Sequence, residues 1–141
     1  MALAAEILGD RWTLLILREA FYGVQRYDDM REDLGVPRSM LTDRLSKMVT
    51  QGLMARQPYQ EPGARVRNAY VLTDMGKSLA LTLTALYQWG EAHALEEASP
   101  IEMRDKTSGK PVHVAVLNED GDVVDMKNVE MCLKKRKNKS K

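Results

Sequence analysis

The sequence predicts an α+β fold in which helices lie on both sides of one short β-hairpin. Apolar residues recur at helical spacing across residues 38–51, which indicates an amphipathic helix. Strand-like segments follow at 53–57 and 66–72, on either side of Pro62-Gly63. A long apolar run from Thr73 onwards then predicts a final helix. With 141 residues, the chain can bury one core and carry an appendage.

The N-terminal part of the chain is predicted to contain three helices. Gly9 suits the left-handed position that ends a first short helix, and Asp10 can cap the next one. From Arg11 to about Tyr22, apolar residues cover more than one flank, so this helix is predicted to be buried on two sides. Gly23 ends it, and a shorter helix follows at residues 27–34.

The helix at residues 38–51 presents two different faces. Pro37 suits its first position, because the proline ring has a helical φ and its missing N–H has no partner there. The face opposite the apolar residues carries short polar side chains, as in helices that enter the major groove of DNA. Arg38 could bind guanine and Asp43 could accept from cytosine, although a face of this kind can also be merely solvated. The predicted buried residues are Leu41, Leu45, Met48 and Val49, and the predicted DNA contacts are Arg38, Ser39, Thr42, Asp43, Arg44, Ser46 and Lys47.

The hairpin after this helix completes a recognisable order of elements. Its tip is predicted to contain Pro58, Pro62 and Gly63, because these residues do not suit a strand interior. Helix, turn, helix and hairpin in this order indicate a winged helix-turn-helix, in which the hairpin, or wing, contacts the DNA backbone and minor groove. A generic surface hairpin also carries charges, so the order of elements is the stronger indication. The predicted wing contacts are Arg56, Arg65 and Arg67.

Charge is distributed unevenly along the chain. The formal net charge is only +1, yet residues 1–35 carry −3, 36–67 carry +4, 68–133 carry −6 and 134–141 carry +6. The positive block at 36–67 coincides with the predicted helix and wing. A local positive surface of this kind favours double-stranded DNA as the partner, because binding depends on how many cations reach the phosphates.

Several separated motifs resemble one family, the HxlR-type winged-helix transcriptional regulators. The resemblance spans roughly Ala4 to Leu95 and implies a homodimer that binds an inverted-repeat operator, with terminal helices at the dimer interface. It places sequence recognition on the helix that begins at Arg38 and the wing contact on Arg65 and Arg67. The motifs are EILGDRWTLLILREAFYGVQRYDDM, LTDRLSKMVTQGLMARQPYQEPG, YVLTDMGKSL and QWG.

The final helix of the first 98 residues is the predicted dimerisation element. Thr73 can cap it, and its apolar residues cover more than one face as far as about Ala98. One face can pack on the core and the other on a second copy, although a single domain could also bury both. Two-fold symmetry would place the two recognition helices about 34 Å apart, matching half-sites about ten base pairs apart.

Three regions are predicted: a winged helix-turn-helix and dimerisation domain at 1–98, a β-hairpin appendage at 99–133 and a disordered basic tail at 134–141. In the appendage, Val112–Leu117 and Asp122–Met126 are predicted strands joined by a turn at 118–121. The tail is predicted to add nonspecific affinity for DNA.

Neither a metal nor a cofactor is predicted. The resemblance implies that some relatives carry cysteine pairs in a comparable hairpin, whereas Ser108-Gly109 stands here and His113 alone cannot form a tetrahedral zinc site. An N-terminal thiol switch is also not predicted, because Cys132 is the only cysteine. Cys132 is interpreted as an inert thiol, with reactivity promoted by the following lysines as the alternative.

The remaining expectations concern the class of protein. Isolated histidines and the lack of a Gly-rich phosphate loop argue against an enzyme. No apolar run is long enough for a membrane span, so a cytoplasmic protein is expected. The alternative function is a winged-helix module that binds a protein or senses a small-molecule effector. Such an effector is expected between Trp12, Tyr87 and Trp89, although these aromatic residues are more often part of a core.

Overall fold

The computed structural model describes residues 1–94, 99 and 101–133, in two compact units that divide between Leu95 and Glu96. The predicted basic tail at 134–141 and the predicted helix end near Ala98 lie outside the described residues. The first unit contains α1 (Ala2–Leu8), α2 (Arg11–Phe21), α3 (Tyr27–Leu34), α4 (Arg38–Thr50), β1 (Met54–Tyr59), β2 (Arg67–Leu72), α5 (Asp74–Lys77) and α6 (Ala80–His93).

The core of the first unit lies where α2, α3 and α4 meet the hairpin. Ile16 and Leu17 of α2, Met30 of α3 and Leu41 and Leu45 of α4 are completely buried. The predicted apolar face of α4 is therefore confirmed, and α2 is buried on two sides as predicted. The α+β order of helices around one antiparallel hairpin is also confirmed.

The cap of α2 is confirmed, whereas the predicted conformation of Gly9 is wrong. The Asp10 carboxylate accepts hydrogen bonds from the amides of Trp12 and Thr13 at 3.0 and 3.1 Å. Gly9 has φ −71°, outside the left-handed region. A Cβ at Gly9 would lie 2.4 Å from the Ala5 carbonyl oxygen, so the close approach of backbone explains the glycine.

The wing differs from its predicted tip. Pro58 pairs with Asn68 inside β1 and does not lie in the loop, so that prediction is wrong. β1 pairs only with β2, and a proline is tolerated in such an edge strand because the missing N–H faces no partner. On the other side of β2, the Tyr70 amide donates to the Gln25 carbonyl at 2.7 Å. The sequence did not predict this short third segment.

The single helix predicted from Thr73 onwards is wrong, because the chain forms α5, a turn at Ser78-Leu79, and α6. The Leu79 amide bonds to the Gly76 carbonyl at 3.1 Å, an i→i−3 pattern that interrupts the helix. Thr73 does cap α5 as predicted, since its Oγ1 accepts from the Gly76 amide at 3.1 Å. None of the described helices is long and apolar enough to cross a membrane.

The second unit contains the predicted hairpin, but its strands are only two residues long. They are β3 (Val116–Leu117) and β4 (Val123–Val124). At the start of the first predicted strand, the Val112 amide instead donates to the Met103 carbonyl at 3.1 Å. The second predicted strand ends in a 3-10 turn at Met126–Asn128. No described residue of this unit is buried.

Candidate nucleic-acid interface

The start of α4 is fixed by the turn Gly35-Val36-Pro37. Gly35 adopts φ +58°, a left-handed conformation that glycine reaches without steric cost. The Val36 side chain is only 4% exposed and holds the turn in the core. The prediction that Pro37 occupies the first helical position is wrong, because its ψ of 139° is not helical and α4 begins one residue later, at Arg38. Pro37 makes no side-chain cap, so the first turn of α4 has no capping side chain.

The polar face of α4 is open to solvent over its N-terminal half. Arg38, Ser39, Thr42, Asp43 and Lys47 are exposed, whereas the predicted contacts Arg44 and Ser46 are half-buried. The Lys47 ammonium lies 3.0 Å from the Asp43 carboxylate, one helical turn away. This pair reduces the net charge of the face, so the Arg38 guanidinium is its main unpaired cation among the described residues.

A hydroxyl of α3 contacts the first turn of α4. Tyr27 Oη lies 2.9 Å from the Arg38 carbonyl oxygen and 3.0 Å from Thr42 Oγ1. Thr42 Oγ1 in turn lies 2.9 Å from the same carbonyl oxygen. The sequence identified Thr42 as a base contact and overlooked Tyr27.

Arg44 is directed towards the N-terminus of α2. Its Nε lies 3.1 Å from Asp10 Oδ1, the oxygen that also accepts the two capping bonds. The N–H of this buried nitrogen has no hydrogen-bond acceptor, so the contact is an ion pair rather than a hydrogen bond. The Nε atom of Arg44 therefore makes a contact within the protein. The role of Arg44 in DNA contact stays a prediction.

The wing carries both paired and unpaired arginines. Arg67, at the start of β2, donates to the Asp28 carboxylate of α3 at 3.0 Å. Arg26 lies 2.7 Å from Glu61 in the wing loop and covers the ring of Tyr59 at 5.0 Å. Arg56 and Arg65 are exposed, and neither has an ion-pair partner among the described residues. Two exposed pairs therefore join the wing to α3 and to the residue before it, whereas the guanidinium groups of Arg56 and Arg65 face solvent.

This arrangement matches a known family. Residues 7–98 match the model of the HxlR-like helix-turn-helix family, which accounts for more than half of the chain. The chain belongs to the HxlR-like family. The resemblance inferred from the sequence motifs is thereby confirmed.

Relatives of this HxlR-like chain carry the same general description. An uncharacterised HTH-type transcriptional regulator of Mycobacterium bovis is 43% identical over 108 residues, covering 76% of this chain and 67% of the relative. One from Synechocystis sp. is 34% identical over 86 residues, covering 60% of this chain and 62% of the relative. The chain is accordingly a transcriptional regulator of the helix-turn-helix type.

Solved structures support the fold. A candidate transcription factor of Pseudomonas aeruginosa has a TM-score of 0.68 at 31% identity, covering 93% of this chain and 89% of that one. The reduced form of the transcriptional regulator YodB from B. subtilis has a TM-score of 0.59 at 26% identity, covering 69% of this chain and 94% of that one. The Pseudomonas match extends into the second unit, because Met1–Leu95 is too short to account for its coverage.

The three aromatic residues predicted to hold an effector do not line either of the two clefts described. Trp12 packs against the core beneath the Arg11 guanidinium, which lies 5.3 Å from its ring centroid. The Tyr87 hydroxyl donates to Glu91 at 2.8 Å, and Trp89 is exposed and lies 5.6 Å from His93. The larger cleft, of about 700 Å³, is instead lined by acidic residues of α3 and by the wing strand β1.

The described residues contain no group of three or more histidines, cysteines or carboxylates placed to hold a metal ion. Cys132 is a free, exposed thiol near the end of the second unit. The interpretation of this thiol as inert stays a prediction.

Proposed function

We propose that this regulator binds an inverted-repeat sequence in double-stranded DNA as a homodimer, with α4 in the major groove and the β1–β2 hairpin along the backbone. The observation that carries the proposal is the position of three guanidinium groups without ion-pair partners among the described residues. Arg38 begins α4, Arg56 lies on β1 and Arg65 lies in the loop of the hairpin. Cations in these positions can exchange water for phosphate or guanine without breaking an internal pair.

The proposed homodimer is supported by an exposed apolar surface on α6. Leu81, Leu86 and Trp89 are 72%, 48% and 63% exposed and lie on one side of this helix. A second copy would remove these side chains from water, which is the dominant favourable term in association. A two-fold pair would present two α4 helices about 34 Å apart, the spacing of successive major grooves on one side of the duplex.

The direct experiment is selection of bound sequences by the purified full chain from a random pool of duplexes. We expect enrichment of an inverted repeat whose half-sites are about ten base pairs apart, centre to centre. Enrichment of a single half-site would contradict the homodimer and leave the DNA contact standing. A pool that stays random, with binding that salt does not weaken, would favour a protein-interaction module.

A further inference from the structure

We infer that Tyr27 of α3 is a positioning residue for base recognition, because its hydroxyl holds the first turn of α4 at the Arg38 carbonyl together with Thr42. This inference rests on the proposed DNA-binding function and names a determinant of specificity within it. Thr42, predicted from the sequence to contact a base, is assigned to the same positioning role.

The three oxygen atoms form a closed triangle. The distances are 2.9 Å from Tyr27 Oη to the Arg38 carbonyl, 2.9 Å from Thr42 Oγ1 to the same carbonyl and 3.0 Å between the two hydroxyls. The carbonyl can only accept, so the two hydroxyl protons serve three short contacts. Both protons are therefore engaged within the protein, and Thr42 has no free proton to donate to a base.

The two ends of the Tyr27 side chain have different environments. Its ring packs against the hydrophobic core, while its hydroxyl lies at the surface beside Arg38. A tyrosine ring that is fixed by packing holds its hydroxyl in one position. Because Arg38 is the first helical residue, the fixed hydroxyl links the core to the point where α4 begins.

The contact at the Arg38 carbonyl restrains the first turn of α4 in a different way from a cap, because a capping side chain accepts from free amides. No side chain caps this helix, whereas Asp10 caps α2 and Thr73 caps α5. Uncapped helix ends fray, and fraying at Arg38 and Ser39 would change the direction of the side chains closest to a base. Specific recognition requires a fixed geometry, whereas contact with phosphate tolerates movement.

The test compares four single substitutions in the full chain, with the selected repeat and a scrambled duplex as the two DNA probes. Tyr27→Phe keeps the packed ring and removes the hydroxyl, and Thr42→Val removes the second hydroxyl at similar volume. Thr50→Val is the matched control, because Thr50 donates the same i→i−4 bond to Ser46 at 3.0 Å at the other end of α4. Thr42→Ser retains the hydroxyl and should restore recognition.

We expect Tyr27→Phe and Thr42→Val each to reduce the ratio of specific to nonspecific affinity about threefold to tenfold, the net effect of one hydrogen bond. The double variant should lose little more than either single one, because the triangle acts as a unit. Thr50→Val and Thr42→Ser should keep the wild-type ratio, and all variants should keep the wild-type salt dependence with the scrambled duplex.

A lower melting temperature with an unchanged affinity ratio in both variants would overturn the inference and leave Tyr27 as a residue of the fold alone. A wild-type chain with no preference for any sequence would instead overturn the proposed function. The two failures are distinguishable because the first still requires a specific wild-type protein.

Discussion

Arg44 of α4 and Asp10, the cap of α2, are joined by an ion pair in which Nε and Oδ1 are 3.1 Å apart. The same carboxylate oxygen accepts the amides of Trp12 and Thr13. One side chain therefore stabilises the start of a core helix and holds the middle of the predicted recognition helix beside it.

The two roles of Asp10 can be separated by substitution. Asp10→Ala removes both the cap and the ion pair and should lower the free energy of unfolding by about 1 kcal/mol. Asp10→Asn keeps a capping oxygen and loses only the charge, so it should stay within about 0.5 kcal/mol of the wild type, as partly exposed ion pairs contribute little. Chemical denaturation of both variants provides the measurement, and equal losses would show that the ion pair, not the cap, carries the effect.

Local signals in the sequence predicted most helix boundaries. Asp10 and Thr73 are capping residues by type, and Gly35 reaches the left-handed φ that the turn before α4 requires. The break at Ser78-Leu79 carries no such signal. Two residues before the break, Gly76 approaches the Leu53 carbonyl closely, which is a contact between distant parts of the chain.

In the candidate site too, features set by local sequence were predictable and features set by contacts between distant residues were not. The exposed positions of Arg38, Ser39 and Asp43 follow from the helical period alone. The partners of Arg44 and Arg67 do not, because both pairs join residues from separate elements. Opposite net charges on residues 1–35 and 36–67 were the available signal for such pairs. Tyr27 could have been noticed as a tyrosine on a core-facing helix, where its hydroxyl needs a partner.

Gly76 is predicted to tolerate no side chain. A Cβ at this position would lie 2.1 Å from the Leu53 carbonyl oxygen, which is backbone and cannot rotate away. Gly76→Ala should therefore destabilise the first unit by about 1–3 kcal/mol, the usual cost of forcing a backbone shift. Lys77→Ala, an exposed neighbour in α5, is the control and should change stability by less than about 0.5 kcal/mol. Thermal unfolding measures both, and equal melting temperatures would contradict the close approach.

Arg38 and Arg65 are predicted to differ in the kind of binding they support. Arg38→Ala should cost roughly 1–3 kcal/mol at the preferred sequence and relax recognition at one base position. Arg65→Ala should weaken binding to all sequences and reduce the salt slope by about 1. Lys110→Ala removes a cation of the second unit and serves as the control. Binding to base-substituted duplexes across a salt series distinguishes these effects, and identical behaviour of the two arginine variants would contradict their separate roles.

Trp89 is predicted to lie in the homodimer interface. Trp89→Glu places a charge on the exposed apolar side of α6 and should convert the dimer to a monomer, since burying an unpaired charge is strongly unfavourable. Leu117→Glu makes a comparable change at an exposed residue of the second unit and should leave the mass unchanged. Sedimentation equilibrium reports the mass directly. A variant that stays dimeric would place the interface elsewhere.

The loop after Asp105 is predicted to depend on pH. The Ser108 hydroxyl and the Thr107 and Ser108 amides donate to this carboxylate, and these bonds hold the pKa of Asp105 below its ordinary value of 3.8. Because the folded-state pKa is lowered, the bonds stabilise the loop above the ordinary value and are lost as the pH falls through the lower one. Ser108→Ala removes the bond that lowers the pKa of Asp105 most and should raise this pKa towards 3.8, which an NMR titration of Asp105 would measure. An unchanged titration would contradict the role of the hydroxyl.

The proposed function requires α4 and the wing to recognise a specific DNA sequence. The most direct measurement is the affinity of the wild-type chain for the selected repeat and for a scrambled duplex of equal length, each across a range of salt concentrations. We expect the repeat to bind at least about a thousandfold more tightly and the logarithm of each affinity to fall linearly with the logarithm of salt concentration. Equal affinities for the two duplexes, or binding that salt leaves unchanged, would contradict it.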